Sequence, residues 1–538
     1  MEEAMKIYFI GADREVTGSC HYIQACGKNI LIDCGMEQGE DVYENQELPI
    51  NPSDIDYVLL THAHIDHTGL LPLMYSRGFR GEVYTTKATC DLCDIMLKDS
   101  AHIQMFEAEW RNRKAKRSGE PEFVPLYEMK DAIGVLEHFI PCQYEEKVTI
   151  CDGITVSFTD VGHLLGSASI QMFLEEEGIK KTIVFSGDIG NLNQPLIKNP
   201  TYLKEADYVI MESTYGDRSH GEKPDYIGEL SKIIQTTFDR GGNVVIPSFA
   251  VGRTQEMLYF LRKIKADGLI KGHDGFEVYV DSPLAVEATN IFNKNRYTCF
   301  DKEAMELVNQ GINPISFPGL KVSVTSEDSK MINFKSAPKV IISASGMCEA
   351  GRIKHHLKHN LWRSECTVLF VGYQAIGTLG RKILDGAKEV KLFGETIEIK
   401  ARIEKLDGIS GHADQQGLIR WLKEFDPKPK RVFIVHGEES VCDSFSKLLM
   451  EEYGYEVTAP YSGSCYDLVK DCVVKEGEVE RKILIRKEPK KVASTVFARL
   501  LSAGQRLLTV IKHNEGGANK DLAKFADQIN SLCDKWDR

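Results

Sequence analysis

The chain has no long apolar run. A transmembrane helix needs about 20 consecutive, mostly apolar residues, and no such run occurs in the 538 positions. The first residues also lack the basic start and apolar core of a secretory signal. The 14 cysteines are scattered and form no evident disulfide framework. Together these absences predict a cytoplasmic protein with reduced thiols and no membrane partner.

A net positive charge is also absent, because the formal net charge is −13 at pH 7. Phosphate binding over a whole surface requires a basic face, so this charge argues against a protein that coats nucleic acid. A local cationic cleft, particularly around bound divalent ions, is still compatible with it. The composition is that of a globular protein, and the length predicts two or three domains.

Four side chains that can ligate metals are concentrated in the segment Thr61-His-Ala-His-Ile-Asp-His67, directly after a hydrophobic, strand-like run. Alternate residues of an extended chain face the same way, so His62 and His64 can converge on one ion. A turn then directs Asp66 and His67 toward a second ion. Imidazole and carboxylate ligands suit zinc, so the pattern predicts a zinc site at the end of a strand.

Three further candidate ligands stand at the ends of strand-like runs, each with a glycine nearby: His163, Asp188 and His436. Alone, each signal is weak, because a strand-end histidine is more often a hydrogen-bonded structural residue. Together with the first cluster they form a constellation. Asp33, at the end of another such run, is expected to orient a ligand histidine or the turn rather than to bind metal.

The spacing of these candidates predicts an inserted domain. His163 and Asp188 are 25 residues apart, but Asp188 and His436 are 248 residues apart, and the last ligand must return to the same site. The insertion is expected from about residue 216 to about residue 406. Within it, four strand-like runs are each followed by a glycine or serine turn and a helix-like segment. This order predicts a parallel, doubly wound α/β sheet, whose helix N-termini offer N–H groups to anions.

Arginines lie early in three of the four predicted helices of the insertion. Ordinary capping explains the glycines and serines there equally well, but the arginines favour phosphate contacts. The predicted RNA-binding residues are Arg253, Ser343, Ser345, Gly346, Arg352, Gly377 and Arg381.

The order of these residues resembles the metallo-β-lactamase superfamily, and the insertion resembles its β-CASP branch of nucleic-acid-processing nucleases. Three segments are similar to the motifs A, B and C of that branch: Met211–Gly216 with Glu212, Ser410–Asp414 with His412, and Val435–Glu438 with His436. Segments 343–356 and 372–381 resemble the RNA-cleaving members, which include the endonuclease subunit of the cleavage and polyadenylation factor and its prokaryotic relatives. In that family a histidine at motif B marks enzymes that act on RNA.

The resemblance implies an α/β fold: a metallo-β-lactamase αββα sandwich with an inserted doubly wound β-CASP domain and a C-terminal helical extension. The expected boundaries are 1–215 and 407–465 for the sandwich, 216–406 for the β-CASP domain and 466–538 for the extension. Apolar spacing predicts a helical hairpin in the extension. Packing against the body is the favoured role of the hairpin, and dimerisation and an extra RNA contact are the alternatives.

The resemblance also implies two zinc ions and a role for each site residue. One ion is expected to bind His62, His64 and His163, the other Asp66, His67 and His436, with Asp188 between them. The expected catalytic residues are Asp66, Glu212 and His412. His412 would protonate the leaving 3′ oxygen, and Glu212 would orient His412.

The implied function is hydrolysis of single-stranded RNA, as an endonuclease, a 5′-exonuclease or both. One alternative is a small-ester or thioester hydrolase of the same fold, against which the inserted domain argues. A second is a catalytically silent RNA-binding scaffold, against which the full set of ligand types argues. A flavodiiron-type redox enzyme is weaker still, because no flavin-binding domain follows at the C-terminus.

Overall fold

The computed structural model describes residues 5–38, 47–118, 122–221, 224–375, 377–406, 408, 410–477, 493–516 and 518–536. The strands are β1 (Lys6–Gly11), β2 (Cys20–Ala25), β3 (Lys28–Ile32), β4 (Tyr57–Leu59), β5 (Glu82–Thr86), β6 (Phe139–Cys142), β7 (Val148–Cys151), β8 (Ile154–Asp160), β9 (Ala168–Glu176), β10 (Ile179–Phe185), β11 (Tyr208–Glu212), β12 (Val244–Pro247), β13 (Glu277–Val280), β14 (Leu320–Val322), β15 (Lys339–Ser343), β16 (Thr367–Phe370), β17 (Glu389–Leu392), β18 (Glu395–Glu398), β19 (Arg402–Lys405), β20 (Arg431–Val435), β21 (Val457–Thr458), β22 (Cys465–Asp467) and β23 (Cys472–Lys475). The helices are α1 (Ile65–Thr68), α2 (Leu71–Ser76), α3 (Lys87–Ser118), α4 (Met129–Leu136), α5 (Tyr226–Phe238), α6 (Arg253–Ala266), α7 (Pro283–Lys294), α8 (Arg296–Cys299), α9 (Lys302–Asn309), α10 (Ser326–Phe334), α11 (Ile353–Asn360), α12 (Leu379–Leu384), α13 (Gln415–Lys423), α14 (Glu439–Glu451), α15 (Ala493–His513) and α16 (Asn519–Trp536).

Two sheets form a sandwich. One has eight strands in the order β23-β22-β1-β2-β3-β4-β5-β6, and the other has seven in the order β21-β20-β11-β10-β9-β8-β7. Alternate residues of each strand enter a shared core, in which Phe9 and Leu59 of the first sheet pack with Phe158 and Ile183 of the second. Helices α2, α3 and α4 contribute to the core outside the first sheet, and α13 and α14 to the core outside the second. The predicted αββα sandwich is confirmed.

The sandwich extends ten residues beyond the predicted boundary at residue 465. Strand β22 pairs antiparallel with β1, and β23 pairs with β22, so both belong to the eight-stranded sheet. The pairing of β22 with the first strand of the chain is a long-range contact that local sequence pattern does not show.

The inserted domain contains a six-stranded parallel sheet in the order β14-β13-β15-β12-β16-β19. The four predicted strands, β12, β13, β15 and β16, form its centre, and β14 and β19 are added at its edges. Valine and isoleucine side chains alternate between its two faces, with Val244 and Ile246 on one face and Val245 on the other. Burial of both faces is typical of a doubly wound parallel sheet.

The extension contains two helices, α15 and α16, whereas residues 480–492 before them lie outside the described residues. Helix α15 reaches the sandwich where Thr509 Oγ1 donates to Asp54 Oδ1 at 2.9 Å. Leu500, Leu501 and Leu508 of α15 are exposed, and α16 has no buried side chain among those described. No helix in the described ranges combines the length and apolarity needed to cross a membrane.

Candidate metal and catalytic centre

The candidate ligands converge at one edge of the sandwich because each follows the carboxyl end of a strand. The turn after β4 presents His62 and His64, and the short helix α1 presents Asp66 and His67. The loops after β8, β10 and β20 present the other three: His163, Asp188 and His436. The structure therefore brings together all seven residues that the sequence suggested.

The first group of donors comprises His62, His64, His163 and Asp188, with one ligand atom of each within 4.8 Å of the others. His64 Nδ1 lies 3.0 Å from His62 Nε2 and 3.3 Å from His163 Nε2. Asp188 Oδ2 lies 3.4 Å from both of those Nε2 atoms. Three ring nitrogens and a carboxylate oxygen thus surround one point.

The second group comprises Asp66, His67 and His436, again within 4.8 Å of one another. His67 Nε2 and His436 Nε2 are 3.3 Å apart, and Asp66 Oδ2 lies 3.8 Å from the latter. Asp188 Oδ1 lies 3.3 Å from His67 Nε2 and 3.6 Å from His436 Nε2. The two oxygens of Asp188 therefore face different groups.

This donor set fits two zinc ions, which bind imidazole nitrogen and carboxylate oxygen. Asp188 Oδ1 is a buried atom without a hydrogen-bond partner among the described residues, and a bound cation would compensate the cost of burying it. Burial lowers the pKa of His62, His64 and His163, which favours the neutral imidazole that a metal requires.

Hydrogen bonds from the other ring nitrogens hold the histidines in place. Asp33 Oδ2 accepts from His67 Nδ1 at 2.7 Å, as expected for an orienting carboxylate. The same carboxylate also accepts from the backbone N–H and the hydroxyl of Thr61, both at 2.8 Å. His163 Nδ1 faces the carbonyl oxygen of Gly411 at 3.2 Å. Such contacts fix the tautomer and the ring orientation of metal ligands.

Two residues of this supporting layer were missed from the sequence. Thr61 Oγ1 lies 3.1 Å from His62 Nδ1, and Thr214 Oγ1 lies 3.1 Å from His436 Nδ1. Both threonines stand inside motifs that had been recognised for their acidic and histidine members. Their position in those motifs was the available signal, but a hydroxyl at a strand end is common without any such role.

Glu212 and His412 form a pair beside the metal donors. Both carboxylate oxygens of Glu212 lie 3.2 Å from His412 Nδ1. The backbone N–H groups of Ile189 and Thr214 donate to Glu212 at 2.5 and 3.3 Å, and these bonds anchor its carboxylate. His412 Nε2 lies 4.0 Å from Asp188 Oδ2, so the ring connects Glu212 to the metal site.

The surroundings of His412 favour its protonated form. Burial alone would lower the pKa of this histidine, but the carboxylates of Glu212 and Asp188 outweigh burial and raise the pKa to about 9. Cations bound by Asp188 would offset its share of this effect, whereas the contribution of Glu212 would remain. A protonated imidazole held in this way can donate its Nε2 proton.

The predicted RNA-binding arginines all have acidic partners. Arg253 contacts Glu256, and Arg381 Nε donates to Asp385 at 2.8 Å. Arg352 Nη1 donates at 2.8 Å to Asp281, whose side chain is fully buried. Their contact with phosphate stays a prediction.

The serines and glycines predicted to bind RNA are divided between the interior and the loops of the inserted sheet. Ser343 is buried, and its hydroxyl donates to the carbonyl oxygen of Asp281 at 2.8 Å. This hydrogen bond gives the hydroxyl a structural role. Ser345 donates to the carbonyl oxygen of Ala350 at 3.2 Å. Gly346 adjoins the ring of Phe249, and Gly377 has a positive φ of 89° in the turn before α12.

Three family models match successive parts of the chain. The metallo-beta-lactamase superfamily model matches residues 13–205, the Beta-Casp domain model residues 254–383, and the model of the Zn-dependent metallo-hydrolase RNA specificity domain residues 396–460. The matched order is the order in which the structure forms the sandwich, leaves it and returns. The predicted inserted β-CASP domain is confirmed.

Curated relatives match most of the chain. Ribonuclease TTHA0252 of Thermus thermophilus is 38% identical over 449 residues, which cover 83% of this chain and 96% of the relative. Transcription termination factor FttA of Methanocaldococcus jannaschii is 33% identical, covering 85% of this chain and 70% of its own length. FttA of Methanosarcina mazei is 32% identical, covering 85% and 71%. The chain therefore belongs to the β-CASP ribonuclease family of the metallo-β-lactamase superfamily and is a metallo-hydrolase of the nuclease class.

Proposed function

We propose that this chain hydrolyses phosphodiester bonds of single-stranded RNA at a two-zinc centre, as an endonuclease, a 5′-exonuclease or both. The observation that carries the proposal is the convergence of two groups of metal donors on Asp188, directly beside the Glu212–His412 pair. The near-full-length match to a ribonuclease supports RNA as substrate. So does the RNA specificity domain match, which spans His412 and His436. The cytoplasmic location belongs to the same proposal.

The ligand groups suggest how the chain would hold two ions. His62, His64 and His163 would hold one, Asp66, His67 and His436 the other, and Asp188 both. When bound, the ions supply Lewis acidity and lower the pKa of water toward neutrality.

The Glu212–His412 pair would supply the proton for the leaving group. Glu212 accepts from Nδ1 of the ring, so the transferable proton is held at Nε2, on the side facing Asp188. Donation of that proton to the 3′ oxygen would avoid an unstable alkoxide. Glu212 stabilises the charged ring before transfer, and its bonds from Ile189 and Thr214 keep it in position.

A cleft between the two domains lies beside the loops that carry this centre. It has a volume of about 510 Å³ and is lined by Asn191 and Ser410 of the sandwich and by Arg253, Lys263 and Lys302 of the inserted domain. Ser410 lies two residues before His412 in the chain. Asn191 follows Gly190, which pairs with His412 through an isolated β-bridge. Acidic side chains, Glu256, Asp301 and Glu303, also line the cleft, so its charge is mixed. A crevice of this kind would admit a flexible unpaired strand more easily than an A-form duplex.

The test is incubation of the zinc-loaded protein with single-stranded RNAs labelled at the 5′ or the 3′ end, with product lengths resolved over time. Internal fragments would indicate endonuclease action, and 5′ mononucleotides exonuclease action. Duplex RNA and single-stranded DNA of the same sequence serve as controls. Rapid thioester hydrolysis without RNA cleavage would favour the small-ester hydrolase. Absence of both zinc and cleavage would favour the scaffold.

A further inference from the structure

Phe249 presents an exposed aromatic ring at the carboxyl end of β12, a central strand of the inserted sheet. Its side chain is 42% exposed, although the four residues of β12 are all buried. The neighbouring strands β15 and β16 run parallel to β12 and end at the same edge. Tyr373, shortly after β16, is also exposed there.

This edge is a topological switch point of the sheet. Helix α6, which follows β12, packs on one face through Leu258 and Leu261. Helix α11, which follows the adjacent strand β15, packs on the opposite face through Ile353 and Leu357. Loops that diverge from adjacent strands leave a crevice at the carboxyl edge, and ligands of doubly wound sheets bind there. Phe249 directly follows β12 and so stands at the position that this rule gives for a ligand.

Two glycines lie against one edge of the ring. A Cβ on Gly346 would lie 3.1 Å from Phe249 Cδ2, and a Cβ on Gly372 would lie 3.5 Å from Phe249 Cε2. The buried side chain of Gln374 joins the two glycine loops, because its amide donates to the carbonyl oxygens of Gly346 and Gly372 at 3.0 and 3.2 Å. The ring thus packs against two loops that the side chain of Gln374 holds together, while much of the ring stays accessible to solvent.

The turn that carries Phe249 also contacts the loop that holds a candidate metal ligand. A Cβ on Gly252 would lie 3.1 Å from Leu164 Cδ1, and Leu164 directly follows the candidate ligand His163. Thr254 fixes the turn, since its N–H and hydroxyl donate to the carbonyl oxygen of Phe249 at 3.3 and 2.7 Å. The turn that carries the ring is therefore connected, through Gly252 and Leu164, to the loop of His163.

Resting on the proposed function, we propose that Phe249 is a stacking platform for one unpaired base of the RNA substrate. A flat, rigid ring that is packed along one edge and otherwise accessible suits a base. Every base has a π face, so stacking needs no particular sequence. The neighbouring metal centre requires a phosphodiester nearby, which favours a nucleotide over a peptide side chain. The platform would position the strand, and it takes no part in the proton transfer.

The test measures stacking directly. Single-stranded phosphorothioate RNA, which resists hydrolysis, carries 2-aminopurine at successive positions and is titrated with the zinc-loaded protein. At one position the fluorescence should be quenched by wild type and by Phe249→Tyr, but not by Phe249→Leu. Affinity for the RNA should fall about ten-fold in Phe249→Leu and remain within two-fold of wild type in Phe249→Tyr, as expected for the loss of one stacked base.

The matched control is Phe334→Ala, which removes a 75% exposed ring at the end of α10, before β15 begins and hence at the opposite sheet edge. It should bind RNA as wild type does. Equal quenching and affinity in wild type and Phe249→Leu, with zinc content unchanged, would overturn the platform while leaving RNA cleavage by wild type intact. Failure of wild type to bind or cleave RNA would instead overturn the proposed function together with the platform.

Discussion

Buried carboxylates stand at strand ends in both the sandwich and the inserted sheet, but they differ in their hydrogen-bond partners. In the sandwich, Asp188 Oδ1 has no hydrogen-bond partner within the described part of the chain, and histidine nitrogens face one another. In the inserted sheet, buried Asp281 accepts from Arg352 Nη1 at 2.8 Å and from His356 Nε2 at 2.6 Å. The first arrangement needs cations to complete it, whereas the second is complete.

This difference teaches that a ligand-type residue at a strand end is not sufficient evidence of a functional site. The decisive property is whether neighbouring side chains already satisfy its charge. By this criterion we expect the sandwich edge to perform the proposed chemistry and the Asp281 cluster to stabilise the inserted domain. Five substitutions test the comparison, from the largest expected effect on turnover to the smallest.

Asp188→Ala should abolish RNA hydrolysis and reduce bound zinc from two ions to fewer. The substitution removes the carboxylate that faces both donor groups, so neither group keeps its full ligand set. Labelled-RNA cleavage and elemental analysis of the purified protein measure the two effects. Asp281→Ala is the matched control, because it removes a buried carboxylate at a strand end in the other domain. Normal turnover by Asp188→Ala would contradict the assignment of the metal centre.

His412→Ala should reduce kcat by about 10²–10⁴-fold, the range for loss of a general acid, with zinc content unchanged. Single-turnover cleavage and elemental analysis measure the two quantities. A large loss of zinc would show that His412 acts as a ligand instead, through the group that it forms with Asp188 and Glu212.

Glu212→Gln gives the matching pH test. Glu212 raises the pKa of His412, so the donor stays protonated until the pH rises through the raised value. In wild type kcat should therefore fall only as the pH rises through the pKa that Glu212 raises. In Glu212→Gln the fall should move to lower pH. An unchanged pH profile would exclude His412 as the proton donor oriented by Glu212.

Asp33→Asn should weaken zinc binding about 10–100-fold, as substitutions behind a metal ligand do. An amide is neutral and presents an NH₂ group where the carboxylate accepted from His67 and Thr61. Zinc competition with a chelator measures the affinity, and saturating zinc should restore most of the activity. If activity stayed low at saturating zinc, Asp33 would act in more than orienting a ligand.

Asp281→Asn should leave kcat near that of wild type at low temperature but lower the melting temperature by several degrees. Removal of one charge from a buried ion pair costs about 3–5 kcal/mol, because Arg352 then loses the counter-charge of Asp281. Thermal unfolding followed by circular dichroism gives the effect, and cleavage at 25 °C gives the control. A loss of turnover without loss of stability would indicate that the cluster takes part in catalysis.

The lowered pKa of Asp281 predicts how the stability of the inserted domain responds to acid. Burial would raise the pKa of Asp281, but the hydrogen bonds from His356, Ser329 and Arg352 outweigh burial and lower the pKa to about 2. Because the folded-state pKa is depressed, its stabilisation is present above the unfolded value of about 3.9 and is lost as the pH falls toward about 2. Asp281→Asn should therefore lose less stability between pH 5 and about 2 than wild type does.

Much of the metal site was predictable from local sequence. The His62–His67 cluster, His163, Asp188 and His436 each follow a hydrophobic strand, and the carboxyl ends of strands in one sandwich can meet at one edge. Glu212 and His412 came from motif resemblance. Thr61 and Thr214 were not predicted, because a hydroxyl gains its role only from the histidine nitrogen that it meets in space.

The phosphate role of the arginines was harder to judge. Arg352 stands at the start of a helix, as a phosphate ligand would, but its carboxylate partner Asp281 is 71 residues away in the chain. The exposure of Phe249 was equally hidden, because its segment reads as a buried strand followed by a helix.

The sequence by itself determined the chemistry available to this protein: the ligand types, the strand ends that carry them and the long insertion between the last two ligands. These features follow from local pattern, since strand periodicity and turn residues act over a few positions. Only the tertiary structure decided which charged groups remain without a partner and which are paired. It also decided that Phe249 is exposed at the carboxyl edge of the inserted sheet. Those properties depend on contacts between residues far apart in the chain. Burial strengthens the hydrogen bonds and ion pairs among these contacts, because the protein interior has a lower dielectric constant than water.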